Sequence, residues 1–248
     1  MVFLYVVEIA CGVLLLYILL LCVASLFADP RKEYDRYSPF YRFLLNSATA
    51  VAIRLLRIRV HVTGGEKLPA DGKILFVGNH CSNFDPIVTW YALKKHRIVY
   101  VSKPENFRIP VFGRIIRRCC FLPIDRKDPR NAMVTVERAA ELLREQPVSV
   151  GIYPEGTRSK TGQLLPFHNG VFKIAQKAGA SIAVVCVTGT AHIAGRTPLR
   201  ATDVYVDIVE VFDSRSIAQT KTSMIGAAVF RSLEKNIEKR NTKWQKDM

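Results

Sequence analysis

The sequence predicts an α/β fold, a largely parallel central sheet flanked by helices, preceded by a membrane-associated helical segment. Three observations carry this. Short apolar runs alternate with helical patterns along the body of the chain. Two of those runs, Ile74-Leu75-Phe76-Val77 and Val148-Ser149-Val150-Gly151-Ile152-Tyr153, read as buried strands that stop at Gly78 and Pro154. Residues 9–28 carry no charged side chain, and Glu8 is the only charged side chain before Asp29.

The N-terminal apolar stretch, taken as residues 1–28, is long enough to cross a hydrocarbon core as a helix. A cleaved signal peptide needs a basic leading region, and no Lys or Arg precedes Arg31. Arg31, Lys32 and Arg36 follow the stretch, which predicts that the remainder lies on the cytoplasmic side. Spanning and half-immersion in one leaflet both fit this pattern. Residues 39–57 place apolar side chains at helical spacing with Arg42, Arg54 and Arg57 interspersed. A basic amphipathic helix beside an apolar anchor fits a membrane surface; a helix packed on its own core fits equally well. Residues 1–57 are thus read as an anchor and 58–248 as one globular domain.

In that domain, Ile58-Arg59-Val60-His61-Val62 alternates as a half-exposed strand does, with His61 a solvated side chain. Gly64-Gly65 and Pro69-Ala70-Asp71-Gly72 are turn chemistry. After the 74–77 strand comes a helix from Ile87, then a strand Ile98-Val99-Tyr100-Val101. Residues 105–118 predict a helix containing Pro110 and Gly113. Residues 119–126 contain Pro123, which suits an edge strand or an exit to a loop. Asp128-Pro129 caps a helix through Arg144, with an apolar stripe of Met133, Val136, Ala140 and Leu143. Next in order are a helix to Lys177, a strand from Ser181 to Val187 and an alternating strand from Asp203 to Val211. A helix from Ser216 to about Arg240 closes the pattern, and the charged last residues are expected to fray.

Composition narrows the partners. Lys plus Arg number 36 against 21 for Asp plus Glu, a net charge of +15 in 248 residues that are 49% hydrophobic. Such a balance points to an anionic partner: nucleic acid, a phosphorylated substrate or anionic lipid. No basic-aromatic pattern of an RNA-binding sheet and no zinc-finger spacing occurs, which favours membrane lipid and phosphate over nucleic acid. The six cysteines, Cys11, Cys22, Cys81, Cys119, Cys120 and Cys186, include no Cys-x-x-Cys pair. They predict reduced thiols in a cytosol-facing domain, not a disulfide framework or a metal site.

The chemistry concentrates at strand exits. His80 and Asp85 stand where a buried strand gives way to a helix, in Asn79-His80-Cys81-Ser82-Asn83-Phe84-Asp85. Imidazole takes a proton near neutral pH, and a carboxylate on its far nitrogen would fix the tautomer. Asp85 before Pro86 is equally an ordinary helix cap, and a carboxylate with two oxygens can serve both roles. The exit after Tyr153 is Pro154-Glu155-Gly156-Thr157-Arg158-Ser159, where Gly156 allows close approach to a ligand and Arg158 offers a fork for phosphate. A plain surface turn would instead pair Glu155 with Arg158 in solvent. Lys103 follows another strand end, where a lysine reaches phosphate or simply solvent.

These pieces in this order resemble the glycerolipid acyltransferase family, and most closely its 1-acylglycerol-3-phosphate acyltransferases. The pieces are Asn79-His80-x4-Asp85; Phe121-Leu122-Pro123-Ile124-Asp125-Arg126; Tyr153-Pro154-Glu155-Gly156-Thr157-Arg158-Ser159; and the apolar block ending Val184-Val185-Cys186-Val187. The resemblance implies transfer of an acyl group from an acyl carrier protein or coenzyme A thioester to the free hydroxyl of a lysophosphatidate. It implies His80 as general base, Asp85 as its partner, and Arg126 and Arg158 on the acceptor's phosphate. Glu155, Gly156 and Thr157 would shape the acceptor site, and Lys103 falls where related enzymes have a phosphate-side lysine. Two departures stand out: Cys186 replaces a usual proline, and His168-Asn169-Gly170 lacks a lysine common before that glycine. No metal or cofactor is expected beyond the thioester co-substrate. Acylation of glycerol-3-phosphate or of another lysophospholipid is the alternative enzyme reading, and a non-catalytic lipid-binding protein of the same fold the other. The Gly-x-Ser-x-Gly elbow of a lipase-like hydrolase is absent.

Overall fold

The apolar runs pair into one sheet in a computed structural model that describes residues 1–69, 73–126 and 128–246. Among these residues the strands are β1 (Ile58–Thr63), β2 (Ile74–Gly78), β3 (Ile98–Ser102), β4 (Leu122–Pro123), β5 (Ser149–Ile152), β6 (Ser181–Thr188) and β7 (Thr202–Phe212). Their order across the sheet is β1-β7-β6-β2-β5-β3-β4. The block β6-β2-β5-β3-β4 is parallel throughout. β7 lies antiparallel to β6 and carries β1 beside it in parallel. The five parallel strands therefore all end at one edge, and β1 and β7 run the other way.

The helices are α1 (Val2–Leu26), α2 (Pro39–Leu55), α3 (Asp85–Ala92), α4 (Phe112–Arg118), α5 (Pro129–Glu145), α6 (Lys173–Ala178), α7 (Ile193–Arg196), α8 (Ser214–Ile217) and α9 (Thr222–Lys246). Successive residues of a strand point to opposite faces, so β2 feeds two separate cores. Leu75 and Val77 join a cluster with Val136, Ala140 and Leu143 of α5, Ile174 of α6, and Val229 and Leu233 of α9. Ile74 and Phe76 join the opposite cluster with Ile53 of α2, Val88 and Trp90 of α3, and Ile193 of α7. Burying each such side chain contributes about 1.5–3 kcal/mol, so both faces of β2 are fixed by packing.

Several elements differ from the sequence expectation. The helix expected over 105–118 is two pieces: a 3-10 turn over Pro104–Arg108 and then α4. Pro110 holds Ile109 extended (ψ 124°), and Val111 takes φ 62° before the helix resumes. Only Leu122 and Pro123 of the 119–126 stretch pair as a strand, at the sheet edge, as Pro123 requires. Asp128 caps α5 by accepting from Arg130 N and Asn131 N. Met133, placed on the buried stripe, is 64% exposed, while Ala139 and Leu142 complete the buried face. The C-terminal helix starts at Thr222; the earlier residues form α8, capped by Asp213. α9 runs to Lys246, so the charged tail is helical as far as it is described. Ala70, Asp71 and Gly72 of the expected turn, with Asp247 and Met248 of the tail, lie outside the described residues. His61 is not a simple solvated side chain, because it meets Asp203 Oδ1 at 2.8 Å and stacks on Tyr205 at 4.9 Å.

The first two helices form an antiparallel pair. Tyr41 of α2 donates to Ala24 O of α1 at 2.9 Å, and Tyr17 of α1 meets Ser47 of α2 at 2.7 Å. Leu4–Leu26 is long and apolar enough to cross a membrane, and its outward side chains stay uncovered, as Leu15 and Leu16 at 67% and 57% exposure illustrate. α2 turns its other side to the core. Arg42, expected on a basic outer face, is buried; it donates to Ile98 O at 3.0 Å and lies 4.6 Å over the Trp90 ring. Phe40 and Phe43 face outward at 55% and 66% exposure, so α2 serves the core and the exterior at once.

Candidate active site

The residues singled out from sequence come just after the ends of the parallel strands. His80 follows β2, Lys103 follows β3, Arg126 follows β4 and Glu155 to Arg158 follow β5; Thr190, not singled out, follows β6. One sheet edge collects them, because crossover connections in a parallel sheet return each strand to the same direction.

The centre is the contact of His80 Nδ1 with Asp85 Oδ2 at 2.9 Å. Asp85 is fully buried, and its side chain does not cap α3. It sits inside the first turn and reaches back instead. Oδ2 accepts from the amides of Cys81 and Ser82 at 2.7 Å each, and Oδ1 accepts from Thr190 Oγ1 at 2.5 Å. A carboxylate that is an acceptor in every contact leaves Nδ1 of His80 as the donor. In the neutral ring that arrangement places the lone pair on Nε2, which has no hydrogen-bond partner among the described residues. The imidazole is clamped flat by Tyr153, whose ring stacks at 4.5 Å and 19°. Tyr153 is held in turn by Thr89 at 3.1 Å.

Asn79 sets where the chain leaves the sheet. Its amide nitrogen donates to Val187 O and its carbonyl oxygen accepts from Val187 N, both at 2.8 Å. The side chain thus does for β6 what one more strand residue would. Beyond it the backbone is free to turn His80 toward the edge.

Glu155 is buried and does not pair with Arg158. Its Oε1 accepts from His80 N at 2.7 Å and its Oε2 from Leu165 N at 2.9 Å. Burial raises its pKa, and the Asp85 charge adds to this; the two amides and His80 oppose it. Glu155 therefore braces the His80 loop against the 160–168 loop from beneath. Ser159 N donates to His80 O at 2.8 Å and completes the brace.

Gly156 takes φ +71°, and a Cβ there would stand 2.8 Å from His168 Cδ2 and 3.4 Å from Arg126 Cδ. The backbone of Gly156, His168 and the stem of Arg126 therefore meet in one wall. Arg126 is solvent-accessible, yet the surrounding wall desolvates it enough to lower its pKa, with Glu105 nearby opposing. Lys103, Thr157 and Arg158 are exposed at the same edge. The side chains of Lys103, Arg126 and Arg158 make no hydrogen bond or ion pair to a described residue. The site thus brings His80, Asp85, Glu155, Gly156 and Arg126 together, with Lys103, Arg126 and Arg158 as cations around the rim. Cys81 adjoins the centre, but burial and the Asp85 charge push its thiol up to about 11. Among the described residues no cluster of three or more His, Cys, Asp or Glu could hold a metal ion.

Thr190, Tyr153 and Asn79 support the centre without having been assigned a role from sequence. Asn79 and Tyr153 stand inside the quoted motifs, whereas Thr190 lies in a stretch with no motif at all.

A bonded histidine–carboxylate pair and a cationic rim at the carboxyl edge of a largely parallel sheet define an α/β protein with a polar, positively charged site at its strand exits. Comparison with known proteins gives the class its name. The profile of the acyltransferase family matches residues 59–188, and the chain belongs to that family. Over 162 residues it is 35% identical to a chloroplastic 1-acyl-sn-glycerol-3-phosphate acyltransferase of Brassica napus, covering 64% of this chain and 46% of that protein. A 1-acyl-sn-glycerol-3-phosphate acyltransferase of Salmonella typhimurium is 30% identical over 173 residues, covering 68% and 70% of the two chains. The match thus spans about half the length of the plant protein and about two thirds of the bacterial one. The crystal structure of the 1-acyl-sn-glycerophosphate acyltransferase PlsC from Thermotoga maritima shares the fold, with a TM-score of 0.67, 24% identity and 81% of each chain covered.

Proposed function

We propose that the chain is a 1-acylglycerol-3-phosphate acyltransferase, with His80 as general base and Asp85 as its orienting partner. The observation that carries this is the His80–Asp85 contact at the sheet edge where Arg126 and Arg158 also follow strand ends. The acceptor's free hydroxyl gives its proton to Nε2 as its oxygen attacks the thioester carbonyl carbon. The carbon–sulfur bond breaks, and the thiolate takes the proton back from the imidazolium. Asp85 stabilises that imidazolium and, with Tyr153, keeps its orientation. Arg126 and Arg158, with Lys103 at the rim, grip the lysophosphatidate phosphate, and Gly156 and Thr157 let the acceptor approach the backbone. The reaction draws on no metal and no cofactor beyond the thioester donor, an acyl carrier protein or coenzyme A thioester.

Residues 1–57 anchor the protein in the cell membrane, and 58–248 form the catalytic domain on the cytoplasmic side. Arg31, Lys32 and Arg36 after the apolar helix support that orientation. Anionic lipid is the partner the net charge favours, and nucleic acid is not one.

The test is acyl transfer by the purified protein to labelled lysophosphatidate, from each donor in turn, with glycerol-3-phosphate and other lysophospholipids as competitors. His80→Ala should lower turnover by about two to four orders of magnitude, the range for a positioned base, with folding and membrane attachment intact. Near-normal transfer by His80→Ala would overturn the mechanism. No transfer by the unaltered protein from either donor would leave a non-catalytic lipid-binding protein as the better account.

A further inference from the structure

We propose that residues 108–114, between β3 and α4, form a second membrane-contacting element that seats the mouth of the site on an anionic bilayer. The proposal rests on reading α1 as a membrane helix, and paired reporters on the two elements separate one from the other.

The segment is Arg108-Ile109-Pro110-Val111-Phe112-Gly113-Arg114. Ile109 and Phe112 are 46% and 38% exposed, and Pro110 and Arg108 are exposed with them. A γ-turn produces this arrangement. Phe112 N donates to Pro110 O at 2.6 Å across Val111, whose φ and ψ are 62° and −63°. A β-branched residue takes such a conformation only where its surroundings impose it. Here Val111 packs inward against the cluster of Tyr41, Ile115 and Cys119, on which Leu21 of α1 and Leu44 and Leu45 of α2 also pack. Gly113 closes the turn, since a Cβ there would collide with Phe107 O. Driving Val111 inward throws its neighbours Ile109 and Phe112 outward, and the backbone on both sides is pinned.

Two further observations identify the partner. The loop is continuous with the anchor, because Val111 shares one apolar cluster with α1 and α2, and the exposed Phe40 and Phe43 of α2 extend the same kind of surface. Arg108 and Arg114 flank the apolar pair and form no ion pair among the described residues. Apolar tips between unpaired arginines, beside a helix apolar enough for lipid, fit the headgroup boundary of an anionic bilayer. The preceding 3-10 turn leaves the sheet at the edge that carries His80, and its Glu105 lies close enough to Arg126 to oppose the fall in its pKa. An element anchored there holds the acceptor site against the surface in which a lysolipid diffuses.

The experiment uses the full chain with one added tryptophan, Phe112→Trp or, separately, Leu16→Trp in α1, each read as the difference from the unaltered protein, which carries Trp90 and Trp244. Vesicles contain phosphatidylglycerol and phosphatidylcholine, with or without brominated acyl chains. Quenching of both reporters by brominated lipid is the expected result. Quenching of the Leu16→Trp reporter alone would overturn the proposal while leaving the membrane helix in place. Quenching of neither would overturn both. A Phe112→Trp signal that responds only to an acyl carrier protein thioester would overturn it in favour of a protein partner. As a second readout, Ile109→Asp with Phe112→Asp should lower use of vesicle-borne lysophosphatidate by about tenfold or more, the effect of losing two apolar contacts. Use of a short-chain acceptor dissolved as monomer should stay near the unaltered rate. Equal loss with both acceptors would overturn the surface role.

Discussion

Thr190 donates to Asp85 Oδ1 at 2.5 Å, although 105 residues separate the two in sequence. His80 and two amides hold the other carboxylate oxygen. The plane of the carboxylate is therefore set from two strands, β2 and β6, and the imidazole inherits that orientation. Thr190→Val keeps the shape and removes the donor. It should cost about 1.5–3 kcal/mol of stability, the value of a hydrogen bond to a charged group. Turnover should fall about tenfold or more with little change in acceptor KM, and Thr190→Ser should restore it. Denaturation curves and steady-state kinetics check this; unchanged turnover in Thr190→Val would show that the His80 loop alone orients Asp85.

Cys81 adjoins His80 and is expected to take no part in direct attack. Its thiol is pushed up to about 11, so almost no thiolate exists at neutral pH. Cys81→Ala should keep activity within about threefold, because only packing changes. An acyl thioester trapped on Cys81 and seen by mass spectrometry would reverse this reading.

Arg126 and Arg158 are expected to act on the acceptor and not on the donor. Each Arg→Ala change removes one charge-assisted contact, worth about 1.5–3 kcal/mol in acceptor kcat/KM. Lysine should rescue only in part, because the bidentate fork is lost. Donor KM should be unaffected, and the loss should shrink with an acceptor lacking phosphate. If both variants merely melt earlier with unchanged acceptor dependence, the two arginines are structural.

A buried charge pair on β7 and α9 is expected to contribute to the acid limit of the fold. Asp207 is almost fully buried, which by itself would raise its pKa. Bonds from Arg240, Thr63 and Asn236 outweigh burial and hold the carboxyl below its ordinary value, with Arg240 Nε at 2.6 Å. A depressed carboxyl stabilises the fold above the ordinary carboxylate range, and that contribution is lost as pH falls through the folded-state value. Arg240→Met leaves a buried carboxylate without its cation and should cost about 3–5 kcal/mol. Its acid unfolding midpoint should move to higher pH, read by circular dichroism along a pH titration. An unmoved midpoint would mean that other groups set the acid limit.

Deleting residues 1–28 should weaken attachment without abolishing it, since the α2 surface and the net charge remain. Residual binding to anionic vesicles should fall as salt rises, because exposed charges are screened over about 10 Å at 0.1 M ionic strength. A truncated protein that stays soluble with anionic vesicles in low salt would remove α2 from the membrane surface.

The strands and their exits were legible because burial on both faces leaves an apolar run that polar turn residues interrupt. His80, Asp85 and Arg158 could be picked out for the same reason, since polar side chains stand abruptly after apolar ones, whereas Arg126 and the part of Glu155 came from the resemblance to the family. What sequence did not show depends on contacts between distant segments. Thr190 is an ordinary threonine until β6 is laid beside β2. Arg42 reads as a membrane-facing cation until Trp90 and the Ile98 carbonyl are placed under it. The 105–118 stretch has the composition of a helix, yet Pro110 and the inward pull on Val111 divide it. Met133 matched the helical period, but the buried arc of α5 lies around Ala139 and Leu142 instead.

The pairing of β1 with β7 has a consequence for how the protein is made. β1 lies at the edge of the sheet with β7 as its strand neighbour, in register from Ile58 against Thr202 to Thr63 against Asp207. During synthesis α1, α2 and β1 leave the ribosome long before β7 exists. The first strand must then wait unpaired while the parallel strands are translated, and contacts that distant in sequence form slowly. The sheet can close only when the 202–212 segment slides between β1 and β6, so a ribosome stalled anywhere before it leaves an open edge on both sides of the gap.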